Sequence, residues 1–213
     1  MRILAMALLA VALHGQTKLF NGRDLNDWKT IGRHEGAAAG GFTVHDGLLE
    51  TTTGTGTLWY TKEKIGNATI HVVYKTSNDK GNSGVFIRIP VEPTNEDDAI
   101  NKGIEVQIDN RDDDWHCTGV LYSMTKALAR PYKPVGEWNT MDITLDGLRT
   151  IVKVNGVLVT DYDGTSPVPA KKKEFEPDRG PRPVSGYIAI QHHDDNCVFS
   201  FKEISVTPLK RSE

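Results

Sequence analysis

The chain has 213 residues, 38% hydrophobic and 25% charged, the composition of one ordinary folded domain rather than of a disordered or fibrous chain. Its 25 Lys and Arg against 28 Asp and Glu leave a net charge of −3, which excludes a general electrostatic attraction to nucleic acid or to an anionic membrane. Cys117 and Cys197 are too few for a disulfide scaffold and stand in no metal-ligand spacing; either one bridge or two free thiols is compatible with the sequence.

Residues 1–15 carry Arg2, an apolar run from Ile3 to Leu13 too short to span a bilayer, and small residues at the end. This is the pattern of a secretory signal. It predicts a mature domain over residues 16–213, secreted or periplasmic, with no membrane attachment after cleavage.

Period-two patterns dominate the mature domain. Asp46-Gly47 offers a tight turn, and residues 68–76 alternate Ile70, Val72 and Tyr74 against His71, Val73 and Lys75. Residues 83–89 place Val85 and Ile87 toward a core, with Gly84, Phe86 and Arg88 on the other parity. A long loop over 90–102 contains EDDAI, enough for a turn or two of helix. Residues 103–109 put Ile104, Val106 and Ile108 on one face and Glu105, Gln107 and Asp109 on the other. Met141, Ile143 and Leu145 point inward, and Asn155-Gly156 between two β-branched runs is a strong hairpin signal. The Pro-rich stretch 163–185 is a second long loop, with Lys171 to Lys173 as a solvated charge run. In 186–193, Gln191 and His193 oppose Ile188, Ile190 and His192. In the last strand Phe199 and Phe201 change parity with Ile204 and Val206, which predicts a β-bulge near Lys202 and Glu203. About a dozen short strands with turn signals between them predict an all-β, two-sheet antiparallel sandwich.

Several polar residues are candidates for chemistry. The row Glu105, Gln107, Asp109 gives solubility on a convex face, or a sugar- or metal-binding strip on a concave one. Arg88, on a strand among apolar residues, is either a brace or a clamp for an anion or carbonyl. His193 is a candidate base or metal ligand, and Trp138 is a stacking platform for a sugar or part of the core. Nucleotide-binding glycine motifs, GxSxG and HExxH are absent, so no nucleotide or organic cofactor is expected.

Read in order, LFNGRDLNDWK, HDGLLE, GTLWYT, GNSGVFIR, GIEVQIDN, TGVLY, GEWN, VNGVLV and IQHH resemble the bacterial 3-keto-disaccharide hydrolase family over residues 18–209. The resemblance implies a concanavalin A-like jelly roll and an exported protein that cleaves glycosides already oxidised to a ketone at C3. A non-catalytic, lectin-like module is the alternative on the same fold. Positions matching the family include Asn82, Ser83, Gly84 and Arg88, Glu105 and Gln107, Tyr122, Glu137 to Asn139, and Gln191 and His193. Phe42 stands where the family often has Trp, and Val73 where an acidic residue is frequent. The resemblance implies that Glu105, His193 and Arg88 are catalytic, and that Gln107, Trp138, Tyr122, Gln191 and Asn82 contact a sugar or glycoside. A divalent cation, Ca²⁺ or similar, would be held by Glu105, Asp109 and His193.

Overall fold

The computed structural model describes residues 15–111 and 113–210. The expected signal segment, up to residue 14, lies outside the described residues. In chain order the elements are β1 (Thr17–Lys18), β2 (Trp28–Ile31), β3 (Phe42–His45), β4 (Leu48–Thr51), β5 (Gly56–Tyr60), β6 (Ala68–Thr76), β7 (Ser83–Ile89), α1 (Glu96–Lys102), β8 (Ile104–Ile108), β9 (Asn139–Asp146), β10 (Arg149–Val154), β11 (Val157–Tyr162), β12 (Tyr187–His192) and β13 (Phe199–Pro208). They form two antiparallel sheets. One has eight strands in the order β11-β10-β9-β6-β13-β4-β3, with β1 also pairing β13; the other has five, in the order β2-β5-β12-β7-β8. The architecture is the predicted jelly-roll sandwich.

The alternation read from the sequence fills the space between the sheets. Ile70, Val72 and Tyr74 of β6 and Met141, Ile143 and Leu145 of β9 meet Val85, Ile87, Val106, Ile108, Ile188 and Ile190 of the smaller sheet in one buried cluster. Each such side chain contributes about 1.5–3 kcal/mol when fully buried. The Asn155-Gly156 and Asp46-Gly47 turns close their hairpins with positive φ at both residues, as the right-handed strand twist demands. Cys117 and Cys197 are both buried free thiols.

Three register shifts occur between paired strands, one of them between β10 and β11 at Val152 and Lys153; the other two bear on residues read from the sequence. The predicted one is present: β13 shifts register between Phe201 and Glu203, leaving Lys202 as the extra residue. The other has no signal in the sequence. Between Ala189↔Phe86 and Tyr187↔Ile89, β7 fits two residues against one of β12, and Arg88 takes φ 59°. Arg88 therefore turns inward and Ile89 outward. The Arg88 guanidinium reaches the other sheet, where Nη2 donates to Arg149 O (3.0 Å), and the Pro-rich loop, where Nη1 donates to Pro183 O (2.9 Å).

The smaller sheet is buried on both faces: β5, β7 and β8 contain only buried residues. Its outer cover is α1, which realises the turn expected in EDDAI as a seven-residue helix. The Asn95 side chain caps it by accepting from Asp98 N, and Glu96, Asp97 and Asp98 suit the positive end of the helix dipole. Ala99 packs with Ile31, Trp59, Phe86, Ile89 and Ala189 in a second, smaller apolar cluster. Gly103 lets the chain dive from α1 into β8, for a Cβ there would lie 2.6 Å from Ala99 O and 3.0 Å from Ile87 O. Arg182, from the Pro-rich loop, clamps this corner by donating to Gly103 O (2.6 Å) and Asn101 O (2.9 Å). Lys171 to Lys173 are exposed, as expected of a solvated run. The free edge of β8 is covered by residues 118–122, with Gly119 N donating to Gln107 O and Tyr122 N to Glu105 O.

Candidate active site

The outer face of the five-stranded sheet carries two parallel rows of side chains set by strand register. Thr57, Gln191, Gly84 and Gln107 are successive partners across β5, β12, β7 and β8. One step along the strands, Trp59, Ala189, Phe86 and Glu105 form the next row. The first row is polar and interrupted by a glycine; the second is apolar until it ends at Glu105. With neighbouring strands about 4.8 Å apart, Gly84 opens a gap in the polar row between two glutamines.

Two carboxyl groups lie along this row, near enough for the charge of Glu96 to act on Glu105. Glu96, on the first turn of α1, is held over the polar row: Thr57 Oγ1 donates to its Oε2 and Gln191 Nε2 to its Oε1, both at 3.1 Å. A carboxylate is an acceptor only, so two donors aimed at it suit the ionised form. Glu105 reaches over Gly84 from the other side. A Cβ at Gly84 would overlap the Glu105 carboxyl oxygen and lie 2.8 Å from Cγ, so only glycine leaves room for this rotamer. Glu105 is 7% exposed and its carboxyl has no hydrogen-bond partner among the described residues. Burial, and then the negative charge of Glu96, push its pKa up from 4.5 to about 8. Glu105 is therefore protonated at neutral pH, whereas the role expected from the sequence required an ionised base or metal ligand at this position.

The amides complete the arrangement. Gln107 Nε2 donates to Asn82 Oδ1 (3.0 Å), while the buried Oε1 atoms of Gln107 and Gln191 have no partner among the described residues. A buried acceptor without a donor costs about 1–3 kcal/mol. Two of them beside a carboxylic acid without a hydrogen-bond partner among the described residues leave unused hydrogen-bonding capacity in this buried row.

The other expected residues are placed elsewhere. Arg88 faces the sandwich interior and cannot clamp a substrate on this face. His193 lies past the end of β12, its Nδ1 3.2 Å from Asp194 Oδ1. Asp194 in turn sits 3.7 Å from Arg111, whose Nε and Nη2 donate to the two oxygens of Asp109 at 3.0 and 2.7 Å. Asp109 is four residues beyond Glu105, about 13 Å along the strand, so this rim network is separate from the two carboxyls. Trp138 is on the opposite side of the molecule, beside Lys75 on the outer face of the eight-stranded sheet. Tyr122 does lie beside Glu105 on the covering segment, its ring 5.0 Å from that of His116. A divalent cation on Glu105, Asp109 and His193 does not fit these residues. Asp109 is closed by Arg111, and no three His, Cys, Asp or Glu among the described residues are grouped to hold an ion.

Glu96 was missed because it belongs to a loop in the sequence, and nothing in TNEDDA says which acidic residue folds inward. The one available signal was the cap: Asn95 three residues before Asp98 marks a helix start. Thr57 was missed because GTLWY has no polar-apolar alternation.

Comparison with known proteins agrees with this architecture. The model of the 3-keto-alpha-glucoside-1,2-lyase-like domain matches residues 15–207. A search of curated protein sequences returns no match. The chain is similar to a provisionally named glycosyl hydrolase from Parabacteroides distasonis, with 25% identity, TM-score 0.71, and coverage of 92% of this chain and 100% of that one. A second such protein from that organism is 22% identical, with TM-score 0.73 over 92% and 94%. The carbohydrate-binding module CBM66 from Bacillus subtilis shares the fold at 12% identity and TM-score 0.55, over 85% and 95%.

Proposed function

Since the chain belongs to the 3-keto-alpha-glucoside-1,2-lyase-like family, we propose that it cleaves 3-keto-glycosides with Glu96 as base and Glu105 as acid. A ketone at C3 acidifies the C2 proton and places the C1 leaving group β to the carbonyl. Glu96 takes the proton from C2, the electron pair forms the C1–C2 double bond, and the C1–O bond breaks. Glu105 gives its proton to the departing glycosidic oxygen. Water then adds across the double bond, OH to C1 and H to C2, so that the net reaction is hydrolysis. Gln107 and Gln191 accept hydrogen bonds from sugar hydroxyls, and the Asn82 amide N–H₂ is the available donor for the ketone oxygen as it gains charge. The reaction takes place outside the cytoplasm, in keeping with the signal-like pattern of the first fifteen residues.

The single observation that supports this reading is the electrostatically coupled pair Glu96 and Glu105, beside one polar row and in opposite environments. One accepts hydrogen bonds from two donors; the other is buried, has no hydrogen-bond partner among the described residues, and has its pKa pushed up to about 8. Groups whose surroundings drive their protonation apart are what acid–base catalysis uses. The test is release of aglycone from a synthetic 3-keto-glycoside, with the unoxidised glycoside as control. Binding without release by the folded protein would overturn the catalytic reading in favour of a non-catalytic carbohydrate-binding module.

A further inference from the structure

The outer face of the eight-stranded sheet bears a constellation that the reaction does not use. Trp138 immediately precedes β9, on the parity of Thr140, Asp142 and Thr144, which point away from the core. Lys75 of β6 places its Nζ 4.9 Å from the centre of the Trp138 ring, and Lys202 of β13 places its Nζ 5.9 Å from it. Lys202 is the extra residue of the β13 bulge, so the irregularity is what swings this ammonium out over the neighbouring strand. Neither lysine has a carboxylate partner among the described residues. Glu50 accepts from Ser200 Oγ (2.8 Å), and Glu203 accepts from Gln16 and Ser205 (2.9 and 2.8 Å), so neither is drawn into an ion pair with these lysines. An indole flanked by two ammonium groups, neither in an ion pair among the described residues, is therefore built into an otherwise acidic protein.

The same face continues away from Trp138. Four residues along β9, about 13 Å on, Asp142 Oδ1 lies 2.6 Å from His71 Nδ1. These two line a cleft of about 440 Å³ with Thr69, Thr207 and Lys210. Its walls combine hydroxyl, imidazole, carboxylate and ammonium groups.

We propose that this face is a second carbohydrate site, for acidic oligosaccharides. A sugar ring stacks on Trp138 and its carboxylate is held between Lys75 and Lys202, while neighbouring units run toward His71 and Asp142. Indole stacks on the C–H face of a sugar ring, and the two ammoniums, freed from the indole, supply the charge that discriminates an anionic sugar from a neutral one. The site lies across the sandwich from Glu96 and Glu105, so it tethers a polymer without occupying the carboxyl pair.

The experiment is calorimetric titration of the full-length protein with trigalacturonate and with the neutral trimer maltotriose, at low and at raised salt. Trigalacturonate is expected to bind at least tenfold more tightly than maltotriose, with an advantage that shrinks as salt rises. The Lys75→Gln/Lys202→Gln double variant should lose that advantage, and Trp138→Ala should lose binding of both trimers. Turnover of a 3-keto-glycoside should be unchanged in the double lysine variant, and Glu105→Gln should bind trigalacturonate as the wild type does. The lysine positions are at the surface, so the double variant keeps the proposal testable should Trp138→Ala fail to fold. No preference for the acidic trimer, or a preference that survives the lysine substitutions, would overturn the proposal. So would loss of trigalacturonate binding in Glu105→Gln, which would place the ligand on the opposite face.

Discussion

Replacing Glu105 by Gln separates catalysis from stability in a direction that ordinary active-site variants do not. A Glu carboxyl ionises near 4.5 in the unfolded chain, but burial and the Glu96 charge hold it protonated to about pH 8 in the fold. Between those two values the unfolded chain loses a proton that the folded chain keeps, so the wild type loses stability as pH rises through that window. Below pH 4.5 both states are protonated, and above 8 both are ionised, so the loss is confined between them. The interval from 4.5 to about 8, at 1.36 kcal/mol per pH unit, bounds the loss at ~5 kcal/mol; relaxation and water entry reduce it to about 2–5 kcal/mol. Gln cannot ionise. The stability of Glu105→Gln relative to wild type should therefore climb by about 2–5 kcal/mol between pH 4.5 and pH 8.5, whatever constant penalty the amide adds. Urea titrations of both proteins at the two pH values measure it. The same variant should lose turnover of a 3-keto-glycoside by about 10²-fold or more, having no proton to give. A difference in stability that is flat across pH would refute the buried, unpartnered carboxyl. Unchanged turnover would remove Glu105 from the mechanism.

Glu96→Gln should lose turnover to a similar extent, and the remaining activity should fall off at lower pH than in the wild type, because the charge that helps raise Glu105 is gone; a pH–rate profile decides. Gly84→Ala should keep the sandwich but displace the Glu105 carboxyl, costing about 1–3 kcal/mol in a urea melt and most of kcat. Arg88→Met leaves two carbonyls without their buried donor, so it should lower stability by about 1–3 kcal/mol while kcat of the folded enzyme stays unchanged, the reverse of a catalytic arginine. Intact-mass measurement of the naturally exported protein should show the loss of residues up to about Gln16, and a retained Met1 in that fraction would refute the signal assignment.

The elements whose one face is the shared core were legible because two-residue periodicity is a local property. β6 and β9 alternate as read, and the bulge in β13 was forced by the parity change between Phe201 and Ile204. Arg88 shows where local reading stops. SGVFIRI alternates regularly, yet a bulge turns Arg88 inward, because its guanidinium has acceptors at Arg149 and Pro183 that only the fold brings near. His193 failed for a similar reason: its parity is right, but the strand ends before it and the side chain joins Asp194. The outward placement of Glu105, Gln107 and Gln191 was legible, since each is the polar alternate of an apolar strand. Their partner Glu96 comes from a helix 11 residues before Gln107 in the chain and 95 before Gln191.

The outer face of the five-stranded sheet also shows why its polar half calls for a functional explanation. One part is an ordinary apolar layer, with Ala99 of α1 packed on Phe86, Ala189, Trp59 and Ile31. The same helix and strands could have continued that layer across the row beside it. Instead that row buries Gln107 and Gln191 with Glu96 bonded over it, and Glu105, at the end of the apolar row, reaches over Gly84. The polar row leaves two buried amide oxygens without partners among the described residues, where apolar side chains of similar size would be neutral or stabilising. Glycine at position 84 adds to the cost, because it weakens a central strand and serves only to admit the Glu105 carboxyl. A fold that accepts these penalties side by side, next to an apolar solution it already uses, is under selection for something other than stability. In the proposed reaction, a substrate whose hydroxyls meet the amide oxygens, and whose bond-breaking uses one acid and one base, turns each of these penalties into an interaction.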